Sequence, residues 1–218
     1  MDNDKFVEQY MALLSERISL YGYERKNLIS AVWAGISVMF RNDGTRTNDC
    51  CFWEGFASVL GANSLKDKDK FDRFYETEFD SLQSAVECNP LAKETIDFLK
   101  TKDVKLALAT NPVFPVLAVQ KRIGWAGLNP KDFQLITTYE TECFCKPTNG
   151  YYLSIAERLG VKPADCLMVG NDVDDDMPAR EIGMQVFLLT DHLINRKGKD
   201  LSPFPHGSFS DLLTYLKQ

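Results

Sequence analysis

Up to residue 88 the apolar positions recur at helical spacing, and no alternating, strand-like pattern interrupts them. Phe6, Val7, Tyr10, Leu13, Leu14 and Ile18 make a first stripe, and Leu28, Ile29, Val32, Trp33, Ile36 and Phe40 a second. Phe52, Phe56, Val59 and Leu60 make a third; Phe71, Phe74, Tyr75, Phe79, Leu82 and Val86 follow out of the charged run 66–70. These four stripes predict a small antiparallel helical bundle over residues 1–88, with the charged run as a solvated helix start.

From residue 89 the pattern changes to short apolar runs between amphipathic helices. Asn89 and Pro90 read as an N-cap and first helical residue, leading into a helix near 92–101 and an apolar strand at 104–109. A helix near 113–124, a strand near 133–137, a helix at 149–159 and a strand at 166–169 follow, then a helix at 176–182 and a strand at 185–189. A polar tail from 191 ends in a short helix at 209–216. Alternation of this kind predicts an α/β, Rossmann-like doubly wound parallel sheet over 89–218, which places ligands beyond the carboxyl ends of the strands.

Composition narrows the classes of partner. With 25 Lys and Arg against 31 Asp and Glu, the 218-residue chain carries a net charge of -6, so no global cationic field exists to hold nucleic acid. The longest apolar stretch, 31–40, is too short to span a bilayer, and no basic-then-apolar leader opens the chain, which reads as cytoplasmic. The six cysteines form no CxxC pair and stand beside only two histidines, so they read as reduced, packed thiols and not as a zinc site. Cys143 and Cys145, next to Lys146, are the pair with a possible sensitivity to oxidation. His192 and His206 lie in the polar tail and read as surface groups.

Three predicted strand ends carry polar residues. Thr110 and Asn111 follow Leu106, Ala107, Leu108 and Ala109; they read either as a cap before Pro112 or as a hydroxyl beside free helix-start N–H groups that can hold a phosphate. Lys146, followed by Pro147, offers a compact charge suited to a phosphate or a carboxylate. Gly170, Asn171 and then Asp172, Val173, Asp174, Asp175 and Asp176 follow a third strand; the four carboxylates repel one another unless a cation sits among them, and hard oxygens select magnesium. An acidic helix N-terminus is the other reading of that run.

In this order the segments LALATNP (106–112) and CKPTNGYYLSIAERLGVKPADCLMVGNDVDDDMPAREIG (145–183) resemble the second, third and fourth motifs of the haloacid dehalogenase-like hydrolases, a superfamily that uses an aspartate nucleophile and magnesium for phosphoryl transfer. The resemblance covers about 89–189, makes residues 1–88 similar to the family's helical cap, and implies the following roles. Thr110, with Asn111 beside it, binds the transferring phosphate; Lys146 stands against phosphate and nucleophile; Asp172 and Asp176 hold magnesium, with Asp175 as a further ligand. Asn171 is an extra position relative to the commoner Gly-Asp form.

The family also opens with an apolar strand ending in Asp-x-Asp, which supplies the nucleophile and the general acid and lies between the strands of the second and fourth motifs. Asp2 and Asp4 have the letters, but no apolar strand precedes them. Two explanations stay open: the sequence starts at an internal methionine and an upstream strand supplies the nucleophile, or the chain is a variant folded around the gap. The first is preferred because the other motifs are intact. The expected function is a magnesium-dependent phosphomonoester phosphatase acting on a small phosphorylated molecule through an aspartyl-phosphate, inactive as the chain stands. The alternative is a non-catalytic relative binding a phosphorylated ligand or a protein partner; dehalogenation ranks below both because that branch does not use magnesium. The aromatic residues Trp33, Phe40, Phe52, Trp53 and Phe56 either select the substrate or form the bundle core.

Overall fold

The computed structural model describes residues 3–218, and Asp2 lies outside them. Its contacts divide the chain into two units. The first runs up to Cys88 and also takes Thr110–Pro130 and Thr137–Cys145; the second holds Asn89–Ala109, Lys131–Ile136 and Lys146–Gln218. The chain thus changes unit at residue 89, where the sequence pattern changes, and two stretches expected with the α/β part group with the helices.

The first unit contains helices α1 (Asn3–Ser19), α2 (Arg25–Phe40), α3 (Asn48–Leu60), α4 (Lys68–Thr77) and α6 (Val116–Trp125). Helices α2 and α3 pack most closely, because glycines meet at their crossing. A Cβ on Gly55 would lie 2.6 Å from the Ala34 carbonyl oxygen, and one on Gly35 would lie 2.7 Å from that of Phe52. The core of this unit is aromatic: Phe6, Tyr10, Trp53, Phe56, Phe71, Phe74, Tyr75, Phe79 and Trp125 are all buried in one cluster. Phe79 stacks on Trp125 at 5.0 Å between ring centroids. Of the aromatic residues weighed above, Trp53 and Phe56 are core, Phe52 is half-buried, and Trp33 and Phe40 are exposed.

Inside this cluster the Tyr10 and Tyr75 hydroxyls bond each other at 2.7 Å. Burial holds the Tyr10 phenol up at about 12, against an ordinary 10.0, and pushes Tyr75 well above its ordinary value. A phenol kept neutral by the fold contributes stability that is complete below its unfolded value and is lost as pH rises through its folded one. The melting temperature is therefore expected to fall as pH rises from about 10 to about 12, and Tyr10→Phe to shrink that fall. Calorimetric melts across that range check it.

The second unit holds α5 (Pro90–Lys100), α7 (Asn149–Leu159), α8 (Phe209–Leu216) and five short strands: β1 (Ala107–Leu108), β2 (Leu135–Ile136), β3 (Leu167–Gly170), β4 (Gln185–Leu189) and β5 (His206–Gly207). Asn89 caps α5, its side chain accepting the Leu91 N–H at 3.0 Å with Pro90 at the first helical position. The strands form two separate parallel sheets, β1–β2 and β3–β4–β5. Phe187 and Leu189 of β4 pack with Leu212 of α8 in a buried cluster. In contrast, β1 and β3 are apolar but only half-buried, β1 pairing with β2 and β3 with β4. Parallel strands ordinarily sit between covered faces and paired neighbours. No helix among the described residues is long and apolar enough to cross a membrane, and the six cysteines are free thiols.

Candidate active site

The end of β3 builds the most tightly determined group of charges. Lys146 Nζ donates to Asp176 Oδ1 at 2.6 Å, and both residues are buried, at 6% and 5% exposure. The other oxygen of Asp176 accepts the Asp172 N–H at 2.9 Å, and the Asp176 N–H returns a bond to the Asp172 carbonyl at 2.9 Å. Lys146 also lies 5.7 Å from the centre of the buried Tyr151 ring on α7. Gly170 makes room for this pair: a Cβ there would lie 2.1 Å from Asp176 Oδ2 and 2.5 Å from its Cβ. A glycine is required because the strand backbone and the carboxylate occupy adjoining space. Asp176 precedes a 3-10 turn, Met177–Ile182, where the sequence predicted a regular helix.

Asp172 folds its own loop. Its Oδ1 accepts the N–H groups of Asp174 at 2.8 Å and Asp175 at 3.1 Å, and its Oδ2 stands 3.6 Å from Arg196. The Tyr152 hydroxyl donates to the Asp175 carbonyl. Burial, reinforced by the neighbouring Asp176, Asp175 and Asp172, pushes that phenol up.

The acidic run was expected to need a cation, and the chain supplies several of its own. Residues 192–199 lie along it: Ile194 N–H donates to the Asn171 carbonyl at 2.8 Å, Val173 N–H to the Ile194 carbonyl at 3.0 Å, and the Asn171 amide to the His192 carbonyl at 2.6 Å. This places Arg196 beside Asp172, and Lys197 and Lys199 at 3.3 and 2.5 Å from Asp174. Sequence reading treated these as tail residues. The available signal was three cations within four positions, downstream of four aspartates. The Lys199 hydrogen bond, followed by that of Lys197, holds Asp174 below its ordinary value. Lys199→Gln is expected to return Asp174 toward an ordinary carboxylate titration without loss of fold, as followed by NMR, since exposed pairs add little stability.

Thr110 and Asn111 belong to the first unit, where both are half-buried. Thr110 Oγ1 lies 3.3 Å from Thr137 Oγ1, and the Thr137 hydroxyl donates to the Thr110 carbonyl at 2.9 Å. Thr137 is fully buried and stands just past β2 as Thr110 stands past β1, a partner that the sequence pattern did not single out. The expectation of free N–H groups at the following helix start is corrected. Helix α6 begins at Val116, because Pro115 disfavours helical geometry at Phe114, and the Val116 N–H goes to the Glu140 carboxylate at 3.0 and 3.1 Å. His192 and His206 are exposed, and Asp4 is exposed in the first turn of α1.

Among the described residues no three His, Cys, Asp or Glu side chains group as a metal site. The donors match magnesium in kind, being carboxylate oxygens, and Asp172 Oδ2 stands 3.6 Å from Arg196. Both Asp176 oxygens are engaged by Lys146 and the Asp172 N–H.

Residues 13–183 match the family model described as hydrolase, haloacid dehalogenase-like hydrolase. The chain belongs to the haloacid dehalogenase-like hydrolases. A search of curated proteins gives no match. Among solved structures the chain is similar to a HAD phosphatase from Thermococcus onnurineus, at 19% identity and a TM-score of 0.56, over 98% of this chain and 91% of that one. It is also similar to a predicted phosphoglycolate phosphatase from Haemophilus somnus 129PT, at 20% identity and a TM-score of 0.53, over 88% and 90%. The L-2-haloacid dehalogenase from Xanthobacter autotrophicus with chloropropionic acid covalently bound matches at 16% identity and a TM-score of 0.54, over 95% and 92%. At these identities the likenesses establish the fold: an α/β, Rossmann-like core with a helical cap.

Proposed function

We propose that this haloacid dehalogenase-like hydrolase is a magnesium-dependent phosphomonoester phosphatase that works through an aspartyl-phosphate. The observation that carries the reading is the buried Lys146–Asp176 pair under the Gly170 loop. Burying two charges costs several kcal/mol per ion, so such a pair is weak evidence for stability. A fixed ammonium at a strand end is what a transferring phosphoryl group needs, because the charge is already oriented when the reaction begins.

In this reading Thr110, Asn111 and Lys146 hold phosphoryl oxygens, Asp176 fixes the direction of Lys146, and Asp172 takes the metal with Asp175 beside it. Asp172 would hold the magnesium, which would supply positive charge against the negative charge that develops on the phosphoryl oxygens. The nucleophile in this reading is the first aspartate of the family's Asp-x-Asp motif. Its carboxylate oxygen bonds to phosphorus as the ester oxygen leaves and takes a proton from the neighbouring carboxylic acid. Water then attacks phosphorus and gives a proton to that second carboxylate, releasing inorganic phosphate and restoring both aspartates.

Titration calorimetry with inorganic phosphate and magnesium tests the binding half. The chain is expected to bind, and Lys146→Gln to weaken binding about tenfold or more. Absence of binding by the parent chain contradicts the reading. The second reading, a relative that binds a phosphorylated ligand without catalysis, shares this step and differs only at turnover.

A further inference from the structure

We propose that Asn48 is a positioning residue, whose side-chain amide holds the loop after Thr110 and Asn111 and the segment before Lys146 in fixed relation. The proposal rests on the phosphate-binding reading above and assigns a residue far from those motifs in sequence. Asn48 is fully buried at the start of α3. Its Nδ2 lies 3.3 Å from the Pro112 carbonyl, 3.4 Å from the Phe144 carbonyl and 3.5 Å from Cys145 Sγ. Pro112 directly follows Asn111, and Cys145 directly precedes Lys146. One amide thus touches segments 64 and 96 residues away along the chain.

The amide is itself held. Its Oδ1 accepts from the Asn42 amide at 2.8 Å, which fixes which end of the Asn48 side chain faces the two carbonyls. The main chain adds two bonds in the same direction: Asn48 N–H to the Glu142 carbonyl and Asp49 N–H to the Tyr139 carbonyl, both at 2.8 Å. Gly44, with φ of 91°, lets the α2–α3 turn lie on the Phe144 ring, where a Cβ would come within 2.1 Å of the ring carbon. Buried Met39, Cys51 and Cys145 form a small apolar cluster alongside. A carboxylate at position 48 would face two carbonyl oxygens with no proton to offer, and an apolar side chain would leave both unsatisfied.

The test uses the full chain with inorganic phosphate and magnesium as the probe, at a temperature where circular dichroism shows each variant folded. Asn48→Asp is expected to weaken phosphate binding about tenfold or more, since small displacements of a charge-holding group carry costs of that size. Asn42→Ala, which removes the partner of Asn48 Oδ1 together with the half-buried Asn42 side chain's bonds to the Arg46 carbonyl and the Gly44 N–H, should give a smaller loss in the same direction. The ε-methylene NMR signal of Lys146, assigned by its loss in Lys146→Arg, should shift in both variants. Gly124→Ala, in α6 with nothing within 4 Å of the added carbon, should leave signal and affinity unchanged. Unaltered affinity and an unaltered Lys146 signal in folded Asn48→Asp overturn the proposal; if that variant does not fold, Asn42→Ala decides by the same two readouts. If the parent binds no phosphate, the phosphatase reading fails, and the Lys146 signal still decides the role of Asn48.

Discussion

Asp176→Asn is expected to destabilise the chain by about 3–5 kcal/mol, the usual cost of breaking a buried ion pair by removing one partner. The size follows from burial. Both side chains are only 7% exposed, so water cannot take over the solvation of the Lys146 ammonium that is left behind. Lys146→Met leaves the Asp176 carboxylate with the Asp172 N–H alone and should cost a comparable amount. The double variant should cost less than the two singles together by about 0.5–3 kcal/mol, the coupling expected of residues in contact. Urea unfolding of the four proteins measures all of this. Costs below about 1 kcal/mol for both singles would mean that the pair is hydrated and not held.

Gly170→Ala is expected to displace the same pair without touching either charge. The added methyl meets the Asp176 carboxylate and its Cβ, both under 3.0 Å, and neither can retreat, because one oxygen is bonded to Lys146 and the other to the Asp172 N–H. Overpacking of this kind costs about 1–3 kcal/mol. Phosphate affinity should fall with it, because Lys146 must move when its partner moves. Gly124→Ala is the control: it lies in α6 with nothing within 4 Å of the added carbon, and should be neutral or stabilising by up to about 1 kcal/mol. Equal melting temperatures for Gly170→Ala and the parent would contradict the described packing.

The regular elements were the most legible part of the sequence. Helices α7 and α8 and strand β4 fall on the residues that the apolar pattern marked, and Asn89 with Pro90 caps α5 as its chemistry requires. Strand β5 was not legible, because two residues in a proline- and lysine-rich tail carry no periodicity; parallel pairing with β4 alone makes them a strand. The start of α6 was misplaced by the apolar residues Val113 and Phe114, where Pro115 decides the backbone. Of the site, Lys146 and the aspartates were found from charge at strand ends. Their pairing was not, since nothing in the sequence says that Lys146 meets Asp176 and that Arg196, Lys197 and Lys199 answer Asp172 and Asp174. The apolar stripes likewise marked Trp33 and Phe40, which the fold leaves exposed, because a stripe at helical spacing does not state how wide the covered face is.

The most direct test of the phosphatase account is hydrolysis of a generic phosphomonoester with magnesium, measured on the full-length gene product and on its Lys146→Gln variant. The account predicts magnesium-dependent turnover that is lost with Lys146→Gln. Absence of turnover by the parent protein would contradict it, and leave the non-catalytic reading.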